Sequence, residues 1–221
     1  MELSLAQFLD FSKDDAVQII DTRISNEFLQ GYIPGAIHIE LDAIKTLNAL
    51  KIMEQDCPII LVCTEGTEEL AIKRFELLGY TQVRGFLKGG FTTWVEADQK
   101  IDLIIEVEVD ELAMDIPFDE YLMILDIRTE DVYDKAHIKD SINLPLIEFS
   151  DPGSMSELDE HFNIYIIDDL GKELLLAASV LKKQGIHNIR IVQDGWDAVE
   201  FLKNKFTIVT SPKKPTSTEE F

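Results

Sequence analysis

Two stretches of this chain read as copies of one another, and the repeat limits the fold more than any other feature. Ile19-Ile20-Asp21-Thr22-Arg23 returns 105 residues later as Ile124-Leu125-Asp126-Ile127-Arg128. Ile33 and Ile37 return as Ile138 and Ile142 at the same spacing, and Leu61-Val62-Cys63-Thr64-Glu65-Gly66 returns as Ile166-Ile167-Asp168-Asp169-Leu170-Gly171. After one inserted residue, Gly79, Arg84 and Gly89 return as Gly185, Arg190 and Gly195 at a spacing of 106. A repeat this long is of ordinary domain size, so it marks two tandem domains rather than a solenoid.

Within each copy, short β-branched runs alternate with helical patterns, which is the signature of an α/β unit with a mostly parallel sheet. The spacing predicts strands over 16–21, 37–39, 58–63 and 82–87, with helices near 5–9, 41–50, 70–78 and after Gly89-Gly90. Ser25 or Asn26 is the expected cap of a brief helix reaching Leu29. The domains are expected at 1–99 and 106–209. The tail 210–221 has no apolar pattern and is expected to be disordered.

The chemistry concentrates at Cys63. Pro58-Ile59-Ile60-Leu61-Val62 runs straight into it, and Thr64-Glu65-Gly66-Thr67-Glu68 leads on to a helix. That order sets Cys63 at the carboxyl end of a strand, where open α/β sheets bind ligands. Loop amides and the positive end of the helix favour negative charge there, which suits a thiolate. A buried, inert structural thiol fits the same pattern.

Composition narrows the partners. Acidic residues outnumber basic ones 42 to 20, a formal charge of −22. Such a chain repels nucleic acid and anionic membranes; solubility alone also accounts for the charge. No apolar run reaches the length of a membrane span. The opening Met1-Glu2-Leu3-Ser4-Leu5 lacks the features of a signal peptide. With two cysteines in 221 residues there is no disulfide framework, so a reducing cytoplasm is the expected location. The four histidines share no metal-ligand spacing with each other or with the cysteines; no metal and no cofactor are expected. Cys57 reads as packing. Arg23, Arg128, Arg84 and Arg190 read as structural because the repeat pairs them, and Trp94 and Trp196 as core. The oligomeric state stays open.

Taken in order, Asp21-Thr22-Arg23, Glu27-Phe28, Gly31-Tyr32-Ile33-Pro34-Gly35-Ala36-Ile37, Cys63 before its loop, Gly89-Gly90 and Trp94 resemble the rhodanese family, with Tyr32 where a histidine is usual. The second half resembles it more loosely, through Asp126, Arg128, Tyr133, Ala136-His137-Ile138, Gly171 and Gly195. The resemblance implies two tandem rhodanese-like domains and a sulfurtransferase. Cys63 would take a sulfane sulfur, become a persulfide, and pass the sulfur to a thiol or other thiophilic acceptor. Thr64, Glu65, Gly66, Thr67 and Glu68 would line the substrate. The second domain, with Asp168 in place of the cysteine, would be non-catalytic, and Asp168 reads as a helix N-terminal acid.

One departure matters. The family loop commonly carries a cation after its glycine, and here Glu68 stands in that place. Two like charges 4 Å apart repel by about 1 kcal/mol in water and about 4 at an effective dielectric of 20. Weak activity on anionic donors is therefore expected, with a neutral persulfide or a protein persulfide as donor. An arginine six positions after the cysteine, which a related phosphatase or arsenate reductase needs, is replaced by Glu69. A non-catalytic binding or regulatory module and a redox-sensing thiol are the competing readings.

Overall fold

The computed structural model describes residues 1–46, 52–53, 55–151, 153–159 and 161–211. In the first half the strands are β1 (Glu2–Leu3), β2 (Gln18–Asp21), β3 (Ile37–His38), β4 (Ile59–Val62) and β5 (Val83–Leu87). They form one sheet in the order β1-β5-β4-β2-β3, with every pair parallel. Helices α1 (Leu5–Phe11), α2 (Ser25–Leu29), α3 (Glu68–Leu77) and α4 (Gly90–Glu96) flank it.

The second half repeats the plan. Strands β6 (Ile105–Val107), β7 (Leu122–Asp126), β9 (Ile142–Asn143), β10 (Asn163–Ile167) and β11 (Ile189–Val192) make a parallel sheet ordered β6-β11-β10-β7-β9. Around it lie α5 (Val109–Asp115), α6 (Glu130–Tyr133), α7 (Leu174–Lys183) and α8 (Gly195–Phe201). A separate antiparallel pair joins β8 (His137–Ile138) to β12 (Ile208–Val209). No helix among the described residues is long and apolar enough to cross a membrane.

The fold is thus the tandem α/β arrangement that the repeat implies, with local differences. The segment expected to be helical over 41–50 is a 3-10 turn over Leu41–Thr46, and its remainder, 47–50, lies outside the described residues. The tail from 212 onward lies outside them as well. Helix α3 begins at Glu68, two residues ahead of the expected start. Neither Ser25 nor Asn26 caps α2. Its first amide is satisfied from a distance, because Glu40 Oε1 accepts both the Ser25 N–H at 2.7 Å and the Ser25 hydroxyl at 2.6 Å.

The repeat register also needs correction. Ile59 pairs with Val83 but Ile60 pairs with Gly85, so Arg84 is an extra residue bulged out of β5. In the second sheet Ile164 and Tyr165 pair with consecutive residues, Ile189 and Arg190. Arg84 and Arg190 are therefore not counterparts. Arg84 is exposed and bonds Gln82, whereas Arg190 lies 5.3 Å from the Tyr165 ring. The bulge brings the spacing back to 105, so Gly195 (φ +54) answers Gly90 (φ +58), not Gly89.

The halves share one continuous core, and the reason is the sequence of α7. Leu174-Leu175-Leu176-Ala177-Ala178-Ser179-Val180-Leu181 is apolar on all sides, as a fully enclosed helix must be, and all eight residues are buried. One side covers its own sheet, and another lies on β3 of the first half, where the His38 N–H donates to Ser179 Oγ at 2.9 Å. Its counterpart α3 carries Glu, Lys and Arg and buries only Ala71 and Phe75. The connecting segment is clamped as well. Lys182 Nζ donates to Asp102 Oδ1 and to the Leu103 carbonyl, each at 2.6 Å. Tyr32, in place of the usual histidine, donates its hydroxyl to Asp102 Oδ2 at 3.0 Å.

Candidate functional site

Strand β4 is buried along its whole length, because it is a central strand with sheet on both sides. Cys63 follows it at the carboxyl end, between the neighbouring strands β2 and β5, and is 4% exposed. Its backbone position is held by the neighbouring strand: the Thr22 N–H donates to the Val62 carbonyl at 2.8 Å. Gly90 closes over the other side. A Cβ at Gly90 would lie 3.0 Å from the Cys63 carbonyl oxygen, and its φ of +58° disfavours any side chain.

The loop after Cys63 is short and turns at Gly66 (φ +85). It is closed by its own atoms. The Thr64 carbonyl accepts the Thr67 N–H at 3.1 Å and the Thr67 hydroxyl at 2.7 Å. Thr64 Oγ1 donates to Glu27 Oε2 at 3.1 Å, so a further carboxylate joins the loop. Glu65 and Gly66 are exposed, and Glu68 and Glu69 form the first turn of α3.

Sequence left open whether loop amides or carboxylates would govern the thiol, and burial decides it. Removal from water pushes the Cys63 thiol up to about 12; a hydrogen bond with the Thr22 side chain opposes this, and the charges of Glu68 and Asp21 add to it. The resting group is the neutral thiol.

The Asp168 loop shows the same architecture with a different outcome. Asp168 is 4% exposed, and its two carboxylate oxygens accept the N–H groups of Gly171 at 2.5 Å and Glu173 at 2.7 Å. Burial raises its pKa, against those amide bonds. Asp168, itself buried, thus stands at the head of the largely exposed loop ahead of α7 and accepts the N–H of Glu173, the residue just before that helix. Thr67 and Glu173 occupy equivalent positions just before their helices, with φ of −102° and −103°. The Glu173 N–H bonds the side chain at the head of its loop, whereas the Thr67 N–H bonds a carbonyl. The Asp168 loop is also one residue longer, six steps from Asp168 to Leu174 against five from Cys63 to Glu68, and it carries Lys172.

The arginines behind both loops are structural, as the repeat suggested. Arg23 bonds Asp21 through Nε at 2.9 Å and Nη2 at 2.6 Å, reaches the Gly31 carbonyl at 2.9 Å, and stacks on Phe91 at 4.1 Å. Arg128 repeats this with Asp126, the Ala136 carbonyl and Trp196. Trp196 is half-buried beneath that guanidinium; Trp94 is in the core, its Nε1–H donating to the Lys100 carbonyl at 2.7 Å. Cys57 packs half-buried against the core. Among the described residues no group of three or more His, Cys, Asp or Glu could hold a metal ion.

Sequence reasoning missed the contact of Glu27 with Thr64, although Glu27 stood within a quoted motif. It also missed the enclosure of α7, whose unbroken apolar run was the available signal.

Comparison with known proteins matches these two units. Residues 4–97 and 108–201 each match the Rhodanese-like domain family. The chain is 33% identical over 113 residues to the "Putative sulfur carrier protein YrkF" of Bacillus subtilis (strain 168), covering 51% of this chain and 58% of that protein. It is 30% identical over 97 residues to thiosulfate sulfurtransferase GlpE of Shewanella oneidensis, covering 43% of this chain and 93% of that one. It is 32% identical over 99 residues to GlpE of Pseudoalteromonas translucida, covering 43% and 89%.

Proposed function

The chain belongs to the rhodanese-like domain family, and on that premise we propose that it is a sulfurtransferase carrying sulfane sulfur on Cys63. The observation that carries the reading is the position of Cys63: a single thiol at the carboxyl end of the central strand, ahead of a glycine-turned loop and a helix.

The Cys63 thiolate attacks the outer sulfur of a persulfide donor R–S–SH. A new S–S bond forms at Cys63, the donor's own S–S bond breaks, and R–S⁻ leaves. In the second half an acceptor thiolate attacks the outer sulfur of the Cys63 persulfide and regenerates the Cys63 thiolate. Atoms and charge balance in both halves, and no external oxidant is needed. Glu27, Glu65 and Glu68 surround the loop with negative charge, while Arg23 is held by Asp21. The donor is accordingly a persulfide without strong net negative charge, and thiosulfate is a poor substrate. The Asp168 domain is non-catalytic, because a carboxylate has no sulfur to transfer and already fills its own loop amides.

The test is a donor screen scored by intact mass. A gain of one sulfur atom, about 32 Da, absent in Cys63→Ser, is the expected result. Lack of that mass with every persulfide donor would instead favour a binding module, a reading that the deep burial of the thiol also fits.

A further inference from the structure

We infer that the groove between α5 and α8 of the second half is a docking site for a short basic segment of a partner protein, one that presents apolar side chains between lysines or arginines. The inference concerns the cysteine-less half and stands whatever Cys63 does.

The two halves supply the comparison. Helices α1 and α5 each have seven residues and each begin with a capping box, Ser4 with Gln7 and Glu108 with Glu111, so Glu108 answers Ser4. Helices α4 and α8 begin at the matching glycines Gly90 and Gly195. In the first half the seam between α1 and α4 is filled by Phe8 and Trp94, whose rings meet edge to face with centroids 6.1 Å apart. The matching residues in the second half are Leu112 and Val199, fully buried but much smaller. A groove of about 500 Å³ lies there, between the start of α5 and the length of α8.

The residues that border it depart from their first-half counterparts in two ways. Leu170 stands at the position of Glu65, and Phe201 at that of Glu96. Both are exposed, Phe201 at 86% and Leu170 at 50%. The fold needs no apolar side chain at either place, since the other half carries a carboxylate at each. Large apolar side chains exposed together beside a polar rim mark an interaction site, whereas scattered single ones do not. The charge changes as well. Glu108, Asp110, Asp194 and Asp197 stand where the first half has Ser4, Ala6, Gly89 and Thr92, none of them charged. Lys205 pairs with Asp110 at 2.9 Å, and among the described residues no cation pairs with the other three. On the adjoining edge strand β6, partial burial raises the pKa of Glu106, and the charges of Asp194 and Glu108 add to it. Negative charge at this end of the groove is therefore unrelieved.

These features choose the occupant. Three uncompensated carboxylates repel nucleic acid, an anionic membrane, and a second copy of a chain with a formal charge of −22. A polyamine or a metal ion would answer the charge and leave Phe201, Leu170 and Leu202 uncovered. A basic segment with apolar side chains at its centre satisfies both.

The test is fluorescence anisotropy of a labelled hexapeptide, Lys-Lys-Leu-Phe-Lys-Lys, titrated with the full chain. Saturable binding is expected, weakened at least tenfold by Phe201→Ser and at least tenfold by Asp194→Asn combined with Asp197→Asn. Asp15→Asn combined with Glu96→Gln removes two exposed carboxylates from the first half and should leave the affinity within twofold. Replacing the central Leu-Phe of the peptide by Ser-Ser should abolish binding. All the substituted side chains are exposed, and an unchanged unfolding midpoint establishes that each variant is folded. Absence of saturable binding, an affinity unmoved by Phe201→Ser, equal weakening by the two carboxylate pairs, or equal binding of the serine peptide would overturn the assignment. Dimerisation of the chain alone that Phe201→Ser abolishes would give the groove to a second copy and overturn it as well.

Discussion

At pH 7 a cysteine of ordinary pKa, about 8.5, is roughly 3% thiolate. Cys63, pushed up to about 12 by its burial with Glu68 and Asp21 alongside, is about 10⁻⁵ thiolate at that pH, some 3,000-fold less. A more basic thiolate is a better nucleophile, with a Brønsted slope of about 0.4–0.5. Over about 3.5 pKa units that returns roughly 30- to 60-fold. The net slowing relative to an unperturbed cysteine is therefore about 10²-fold before any steric barrier. The sign of the pH dependence follows from the same shift. Since the folded pKa lies far above the assay range, the rate of alkylation or persulfidation should climb tenfold per pH unit from about 6 to 9 without levelling. The measurement is the pseudo-first-order rate of iodoacetamide labelling at Cys63, followed by peptide mass spectrometry, with the denatured chain as reference. Glu68→Gln should move the whole profile toward faster reaction at every pH, because one of the charges opposing the thiolate is gone. A rate that levels off below about pH 9 would show a stabilised thiolate and refute the dominance of burial. A Glu68→Gln profile that superimposes on the parent would refute the carboxylate contribution.

Lys182→Met tests the clamp between the halves. It removes two bonds at the connecting segment and should cost about 1–3 kcal/mol at neutral pH in urea unfolding. Burial disfavours the charged form of Asp102, but its bonds with Lys182, the Leu103 N–H and Tyr32 hold its carboxyl below the usual range. That contribution is present above the unfolded pKa of about 4 and is lost as pH falls through the folded value, so the variant should show a shallower acid-side loss of stability. Equal acid sensitivity in both proteins would contradict this. Gly90→Ala places a methyl 3.0 Å from the Cys63 carbonyl at φ +58° and should cost about 1–2 kcal/mol while changing the Cys63 labelling rate. An unaltered unfolding midpoint would show that the approach of α4 to the Cys63 loop is less tight than the backbone indicates.

The architecture was legible because its signals are local and repeated. Ile19-Ile20-Asp21 and Ile124-Leu125-Asp126 are buried strands wherever they occur, and a spacing of 105 reveals two units without any knowledge of their contacts. The placement of Cys63 at a strand end was legible for the same reason. What sequence left hidden depends on register and on neighbours. The Arg84 bulge changes no composition, yet it shifts the repeat by one and makes Arg84 and Arg190 unlike. The state of the Cys63 thiol depends on how much water reaches it, which the string Cys63-Thr64-Glu65-Gly66 does not encode. Tyr32 looked like a simple departure from a motif, but its hydroxyl exists to meet Asp102, seventy residues away.

The two loops show how little separates a group stabilised by main-chain dipoles from one merely enclosed. Both follow a buried central strand, both turn at a left-handed glycine, and both end on a residue of nearly identical backbone angles. In the Asp168 loop, six steps long, the last amide before the helix points back at the side chain that begins the loop. In the Cys63 loop, five steps long, the equivalent Thr67 amide has come within 3.1 Å of the Thr64 carbonyl and is satisfied there. A backbone N–H bonded to a carbonyl has little left to offer a thiolate, and burial then dominates the pKa, with Glu68 and Asp21 adding to the rise and the Thr22 side chain opposing it. Reactivity of Cys63 would then depend on opening the Thr64–Thr67 turn.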